Sequence, residues 1–335
     1  MKNVLYIGNA LSSKGKTITT IETLGERLGA FCSIKIASKK ANKVLRLLDM
    51  VWLVFKNKTH TDYVLIDTYS TFNFYYAYII SQLCRFLELK YIPILHGGNL
   101  ESRLKNNPNM SASVFKNAYK LVAPSNFLKS TFEDFGYKEV LYISNFIEIE
   151  KYPFSNRSID KIKMLWIRSF SSIYNPKLAV SVLKSLLNQG YKASLTMVGP
   201  EVDGSLQETK KYAEENGVEV NFTGKLSKEE WIELSHTHNV FINTTNFDNT
   251  PVSILEAMAL GLPIISTDVG GIPFLVSHEK EALLVSPNSV NEFVSTIISL
   301  QENNSLREKL INNSRKKAEN FDWNVVKPKW ESLLR

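Results

Sequence analysis

Cysteine is nearly absent: the 335 residues hold only Cys32 and Cys84. Two isolated thiols make no disulfide framework and fit a reducing compartment. The Cys and His spacings of zinc sites are missing, no Asp-x-Asp pair stands at a strand end, and no metal site is expected. No stretch reaches the ~18 uninterrupted apolar residues of a transmembrane helix. The start, MKNVLYIGNA, reads as a strand rather than a signal peptide, so the expected location is cytoplasmic. Low-complexity tracts are lacking too, and a hydrophobic content of 44% argues for a folded chain throughout.

The excess positive charge is confined to one half. Residues 1–150 carry 19 Lys+Arg against 12 Asp+Glu, whereas residues 151–335 carry 21 of each, so the net +7 of the chain lies entirely in the first half. Solvation alone accounts for a modest excess of this kind. An anionic acceptor, or the anionic inner face of a membrane, is the functional alternative.

Strand and helix signals alternate from end to end, the pattern of βαβ units and parallel sheets. Short apolar runs at residues 4–7, 33–37, 63–67, 91–95, 120–123 and 140–143, then 163–167, 193–198, 218–223, 240–243 and 263–267, are expected as strands. Helical patterns lie between them, among them residues 39–55, 72–89, 176–189, 251–260 and 305–321. A length of 335 suits two domains of ~150 residues. The polar segment 145–158, with Pro153, is the expected linker. Residues 1–155 form the expected first domain and 156–321 the second.

The most informative block is residues 243–276, NTTNFDNTPVSILEAMALGLPIISTDVGGIPFLV. It sets Asp248 and Glu256 eight apart around the start of an apolar helix. Thr250 is the expected N-cap and Pro251 the first helical residue, with Gly261 as the stop. The first N–H groups of that helix favour an anion. Glu256 has apolar neighbours and needs a donor. Gly270 and Gly271, in the next strand-to-helix turn, are expected to let the backbone approach a ligand.

Acid-x7-acid, then EAMA-x-G-x-P, then VGG-x-P, resembles the donor site of the retaining glycosyltransferases of family four. That resemblance implies an α/β fold of two Rossmann-like domains facing each other across a cleft (GT-B), with a closing helix, residues 322–335, crossing back to the N-terminal domain and carrying Trp323 and Trp330 there. It implies that Glu256 binds the ribose of a UDP-sugar or GDP-sugar. Asp248, where the family's usual acid is Glu, would hold the sugar and diphosphate together with Asn249, Thr250, Pro251 and Val252. The shorter side chain of Asp248 bears on which sugar is taken.

The same resemblance extends to other strand ends. Arg168 stands where the family's Gly-Arg-x5-Lys pattern grips the diphosphate, with Ile167 for the glycine and Tyr174 for the lysine; Lys177 is the expected substitute. A guanidinium suits two phosphate oxygens at once. The nucleotide base is expected near Gly199 and near Gly224 and Lys225. His96, followed by Gly97 and Gly98 after a strand, matches the histidine that contacts the donor sugar; Gly15 and Lys16 match a first loop on the acceptor side. His96, Arg168 and Asp248 are the expected catalytic set, with no cofactor beyond the donor. His236 and His238, two apart at a helix end, cannot share a helical face and are not expected to pair on a metal.

Other readings stay open. SSKGKT at residues 12–17 has some likeness to the P-loop, with 64–67 as an apolar strand ending in Asp. An epimerase or phosphorylase of the same architecture lacks its expected catalytic residues here. An inactive nucleotide-sugar-binding or scaffold subunit fits the shortened acid and the missing Gly and Lys. For a transferase, the expected partners are a nucleotide-sugar and a glycan or lipid-linked acceptor, with peripheral contact to an anionic membrane and no nucleic acid. Two segments, residues 39–58 and 72–86, read either as core helices or as interfacial ones.

Overall fold

The computed structural model describes residues 1–14, 19–97 and 99–335. The chain divides into two compact units, Met1–Ser144 with Val326–Arg335, and Asn145–Val325.

In the first unit, strands β1 (Lys2–Ile7), β2 (Cys32–Ala37), β3 (Tyr63–Thr68), β4 (Tyr91–Leu95), β5 (Leu121–Ala123) and β6 (Val140–Tyr142) form one sheet in the order β2-β1-β3-β4-β5-β6. Every pairing is parallel. Helices α1 (Thr20–Leu28), α2 (Lys43–Asn57), α3 (Asn73–Phe86), α4 (Leu100–Asn106), α5 (Pro108–Phe115) and α6 (Asn126–Asp134) connect them. Central strands covered on both faces read as unbroken apolar runs, and β3 and β4 are buried at every position. Asn42 caps α2 through its side-chain oxygen, which accepts from Val44 and Leu45, and Ser125 caps α6. Both cysteines are free and buried.

The second unit repeats the scheme. Strands β7 (Ile162–Ile167), β8 (Ala193–Val198), β9 (Asn221–Gly224), β10 (Val240–Asn243), β11 (Ile264–Thr267) and β12 (Leu283–Val285) pair in parallel in the order β12-β11-β10-β7-β8-β9. Its helices are α7 (Pro176–Asn188), α8 (Ser205–Glu215), α9 (Lys228–Ser235), α10 (Val252–Leu260), the single turn α11 (Ile272–Leu275), α12 (Val290–Glu302) and α13 (Asn304–Glu319). The last helix, α14 (Trp323–Leu333), starts in this unit, and its residues from Val326 belong to the first. Trp330 is accordingly buried with the first unit's residues, but Trp323 stays with the second and packs on Phe146, ring centroids 4.7 Å apart.

All eleven expected strands are present. The twelfth, β12, was not anticipated: three residues, LLV, are too few to show alternation or a run. Helices α4 and α5 were also unanticipated, because the stretch ESRLKNNPNMSASVF is polar and broken by Asn107 and Pro108. The break is where one helix gives way to the next, and Pro108 opens α5 at a position where no N–H is needed.

Candidate active site

In open parallel sheets, ligands gather outside the carboxyl ends of the strands. At that edge of the second unit, Arg168 follows β7, Gly199 follows β8, and the loop 244–251 follows β10. Arg168 forms an ion pair through Nη2 with Asp248, and its guanidinium lies 4.8 Å from the centre of the Tyr174 ring. Burial raises the Tyr174 phenol above its ordinary pKa, so the ring beneath Arg168 is neutral. Asp248 Oδ1 also accepts from the backbone N–H of Asn249 at 2.8 Å. Arg168 Nε is buried and has no partner among the described residues.

Close backbone approach fixes this arrangement. Gly199 has φ +151°, and a Cβ there would stand 1.7 Å from the carbonyl oxygen of Arg168. A Cβ on Gly270 would lie 2.2 Å from the Asp248 carbonyl oxygen, and one on Gly271 1.9 Å from that of Asn249. The space that the missing side chains of these two glycines leave is taken up by the protein's own backbone. What they admit is the backbone of the Asp248–Asn249 loop, and Gly271 N–H donates to Asp248 O at 2.9 Å.

The cap of α10 is corrected. Pro251, not Thr250, is the N-cap, and Val252 is the first helical residue. Pro251 has no side chain with which to cap, and none other does so among the described residues. The buried hydroxyls of Thr250 and Ser253 find no partner among the described residues either. The end of α10 thus offers uncapped N–H groups, positive dipole and two unused hydroxyls beside Arg168's loop. By contrast, the start of α8 is already filled: Glu201 accepts from the amides of Val202, Asp203, Gly204 and Leu206.

Glu256 is buried in the second turn of α10 and has found the donors that its apolar surroundings require. Tyr152 donates to its Oε1 at 2.9 Å, and the Lys228 ammonium pairs with the same oxygen. Burial raises the Tyr152 phenol, which stays a protonated donor. Neither partner was foreseen. Tyr152 lies in the segment read as linker with no motif around it, and Lys228 passes as one of several charges in FTGKLSKEEW.

The remaining expected residues are dispersed. Lys177, in the first turn of α7, pairs with Glu208 at 2.8 Å and shares no bond with Arg168 or Asp248. Gly224 ends β9, its carbonyl accepting from Gly199 N–H at 2.8 Å, and Lys225 follows it. Val252 is exposed at the tip of α10. His238 is held at Nδ1 by Leu234 O and Thr237 Oγ1 and at Nε2 by Thr196 Oγ1.

In the first unit, His96 stands at the carboxyl end of β4 and is buried. Its Nε2 meets Asp67 Oδ1 at 2.8 Å, the ring stacks on Tyr69 at 4.9 Å, and Tyr6 donates to the same Asp67 oxygen at 2.9 Å. Nε2 is thus the ring nitrogen that faces the carboxylate, and Nδ1 is the ring's other hydrogen-bonding atom. Asp67 is the strand-end acid considered for the P-loop reading; here it orients His96. Gly97 follows with φ +77°. Gly15, Lys16 and Gly98 lie outside the described residues.

Comparison with known proteins gives concordant results. The family model described as "Glycosyl transferases group 1" matches residues 148–317. An uncharacterized glycosyltransferase of Methanocaldococcus jannaschii is 27% identical over 299 residues, 81% of this chain and 75% of that one. The UDP-Gal:alpha-D-GlcNAc-diphosphoundecaprenol alpha-1,3-galactosyltransferase of Escherichia coli is 24% identical over 206 residues, 56% of this chain and 51% of that one. The crystal structure of Anabaena HepE in complex with UDP and glucose aligns with a TM-score of 0.77 at 15% identity, covering 100% of this chain and 99% of that one. The fold is the GT-B type, two Rossmann-like α/β units. With the family model covering half of the chain, this protein belongs to the glycosyl transferases group 1 and is a glycosyltransferase.

Proposed function

We propose that this enzyme moves a sugar from a nucleoside-diphosphate sugar to a glycan or lipid-linked acceptor, with retention of configuration and without a metal ion. The observation that carries the reading is the uncapped start of α10, with two unpaired hydroxyls, beside an arginine that has a guanidinium N–H to spare. Unpaired buried polar groups cost roughly 1–3 kcal/mol each, and a diphosphate supplies the acceptors that they lack. As the sugar leaves, negative charge grows on the diphosphate, and fixed N–H dipoles and a cation at that place stabilise it. Glu256, held by Tyr152 and Lys228, is assigned to the ribose hydroxyls; Asp248 holds Arg168 on the Tyr174 ring. His96, oriented by Asp67, is assigned to the reacting sugar. Retention rests on family membership. A lipid-linked acceptor is favoured by the diphosphoundecaprenol in the name of the Escherichia coli relative and by the basic first half of the chain. No helix of the described residues is long and apolar enough to cross a membrane, so contact with one would be peripheral.

The test is nucleotide release from a panel of UDP- and GDP-sugars, each offered with free glycans and with polyprenyl diphosphate-linked saccharides, and NMR of the product's anomeric proton. Release that depends on acceptor, with retained configuration, supports the proposal. Tight donor binding without turnover on any acceptor would instead mark a binding subunit.

A further inference from the structure

Helix α2 is apolar on the face that it turns to water. Arg46, Met50 and Val54 point inward, while Val44, Leu45, Leu48, Trp52 and Phe55 are exposed, Trp52 by 61%. These five recur at three- and four-residue intervals and make one stripe about 16 Å long at 1.5 Å per residue. An exposed helix of a soluble protein normally shows polar residues there. The neighbouring α3, tied to α2 by the Tyr76 hydroxyl on Lys43 O at 3.1 Å, adds exposed Tyr75, Ile79 and Phe86, and its N-cap residue Phe72 is exposed as well. Phe72 and Tyr75 touch, with ring centroids 5.6 Å apart, and Lys43 lies over Phe72 at 5.1 Å.

The exposed charge flanking α2 is basic, and Glu88, two residues past Phe86, is an exposed acid at the end of α3. Lys39, Lys40 and Lys43 are exposed at one end of α2, and Lys56 and Lys58 at the other; α3 contains Arg85 and no acidic residue. The single acid on α2, Asp49, accepts from Ser38 Oγ at 2.5 Å. A protein partner would need an apolar groove with an acidic rim. An anionic bilayer supplies an apolar interior under a uniformly negative surface, and exposed aromatic rings with lysines at the flanks suit that boundary.

We propose that the outward faces of α2 and α3 dock the first unit on the surface of an anionic lipid bilayer, with the side chains of Leu48, Trp52 and Phe55 entering the acyl boundary and the lysines on the headgroups. The docked helix begins beside the carboxyl edge of the first sheet: Arg46 donates to Asn9, just after β1, and to the carbonyls of Lys40 and Ala41. His96 and Asp67 stand at the same edge. A lipid-linked acceptor entering from the surface would reach that edge; this consequence rests on the transferase reading, whereas docking itself does not.

Trp52 reports directly, because the other four tryptophans are buried. The full-length protein is floated with vesicles of phosphatidylcholine alone or with phosphatidylglycerol, at low and high salt, while emission is read against lipids brominated in the acyl chain. Docking predicts flotation with anionic vesicles only, a blue shift, and quenching by bromines near the interface. Leu45→Gln, Leu48→Gln and Phe55→Gln together, at exposed positions that keep the probe, should cut partition by more than tenfold. Neutralising Lys39, Lys40, Lys43, Lys56 and Lys58 should lower it by up to roughly fivefold for each lysine that reaches the surface. UDP and GDP affinity, measured in solution on the same variants, should not change, so failure here and failure of the donor reading are distinguishable. No flotation at low salt, flotation that the triple variant retains, or an unquenched Trp52 on bound protein would each overturn the proposal. So would absence of flotation with a concentration-dependent dimer that the triple variant abolishes, which would assign the face to a second copy.

Discussion

Replacing Glu256 by Gln tests the proposed donor site at its most buried charge. The carboxylate accepts Tyr152 at 2.9 Å and the Lys228 ammonium on one oxygen, Oε1. Gln keeps an oxygen of nearly the same position, so the Tyr152 bond survives. Lys228 loses an ionic partner, but its side chain is 44% exposed and can be hydrated instead, so the fold should stand. What Gln cannot replace is a charged acceptor for ribose hydroxyls. Hydrogen bonds to a charged group are worth about 1.5–3 kcal/mol against about 1 for neutral ones, so the loss should be about 1–3 kcal/mol, roughly 5- to 150-fold in Kd. Calorimetry with UDP, GDP, their nucleosides and pyrophosphate separates the parts: nucleotide and nucleoside should weaken together, and pyrophosphate should not. Tyr152→Phe, which frees the carboxylate to swing, should give a smaller loss, and the double variant less than the sum because the two residues share one role. An intact Glu256→Gln protein that binds UDP and GDP as before, or that loses pyrophosphate as much as nucleoside, would refute the ribose assignment.

Three other outcomes follow from the same geometry. Arg168→Ala should weaken pyrophosphate and nucleoside diphosphate by tenfold or more and spare the free nucleoside, and Arg168→Lys should not rescue it, since an ammonium neither lies flat on Tyr174 nor forks between Asp248 and phosphate; calorimetry reads both. Gly199→Ala should destabilise the protein in urea unfolding by about 1–3 kcal/mol from backbone strain alone, with the clash on the Arg168 carbonyl in addition; an unchanged midpoint would contradict the close approach. Burial holds the His238 imidazole below its ordinary pKa, so the unfolded chain binds the proton more readily. Stability should be level above the unfolded value of about 6.5 and fall as pH drops from there through the folded pKa, and His238→Gln should flatten the fall in urea midpoints measured between pH 8 and 5.

Periodicity made the sheets legible because parallel strands covered on both faces are short apolar runs between helical patterns, and β3, buried along all six residues, is the extreme case. It failed where an element was too short, as in β12, or where a helix was polar and abutted another, as at Asn107 between α4 and α5. The candidate donor loop stood out in the sequence because its residues are contiguous, from Asp248 to Gly271. Its supports were not. Tyr152 reaches Glu256 from 104 residues away and Lys228 from 28, and no local pattern marks either. The glycine pair was noticed for the right reason, close approach, but sequence could not say that the approaching group would be the Asp248–Asn249 backbone. Thr250 has the chemistry of an N-cap; a proline following it took the position, leaving its hydroxyl unpaired.

Two of the three departures from the family's pattern around Arg168 meet on its guanidinium. Tyr174 stands in the place of the family's lysine, and its ring lies against the guanidinium; Asp248 stands in the place of the usual Glu, and its carboxylate pairs with the same group. Losing the lysine removes one cation, and the pair with Asp248 offsets much of the other. Lys177 pairs with Glu208. On the proposed assignment, the net positive charge that side chains would offer to a diphosphate is therefore small. More of its stabilisation must come from oriented dipoles: the uncapped amides of α10 and the hydroxyls of Thr250 and Ser253. Dipoles act only at short range and in fixed directions, so such a site depends on a rigid loop. The Gly270–Gly271 turn against Asp248 and Asn249, and Gly199 against Arg168, provide that rigidity with backbone packed directly on backbone.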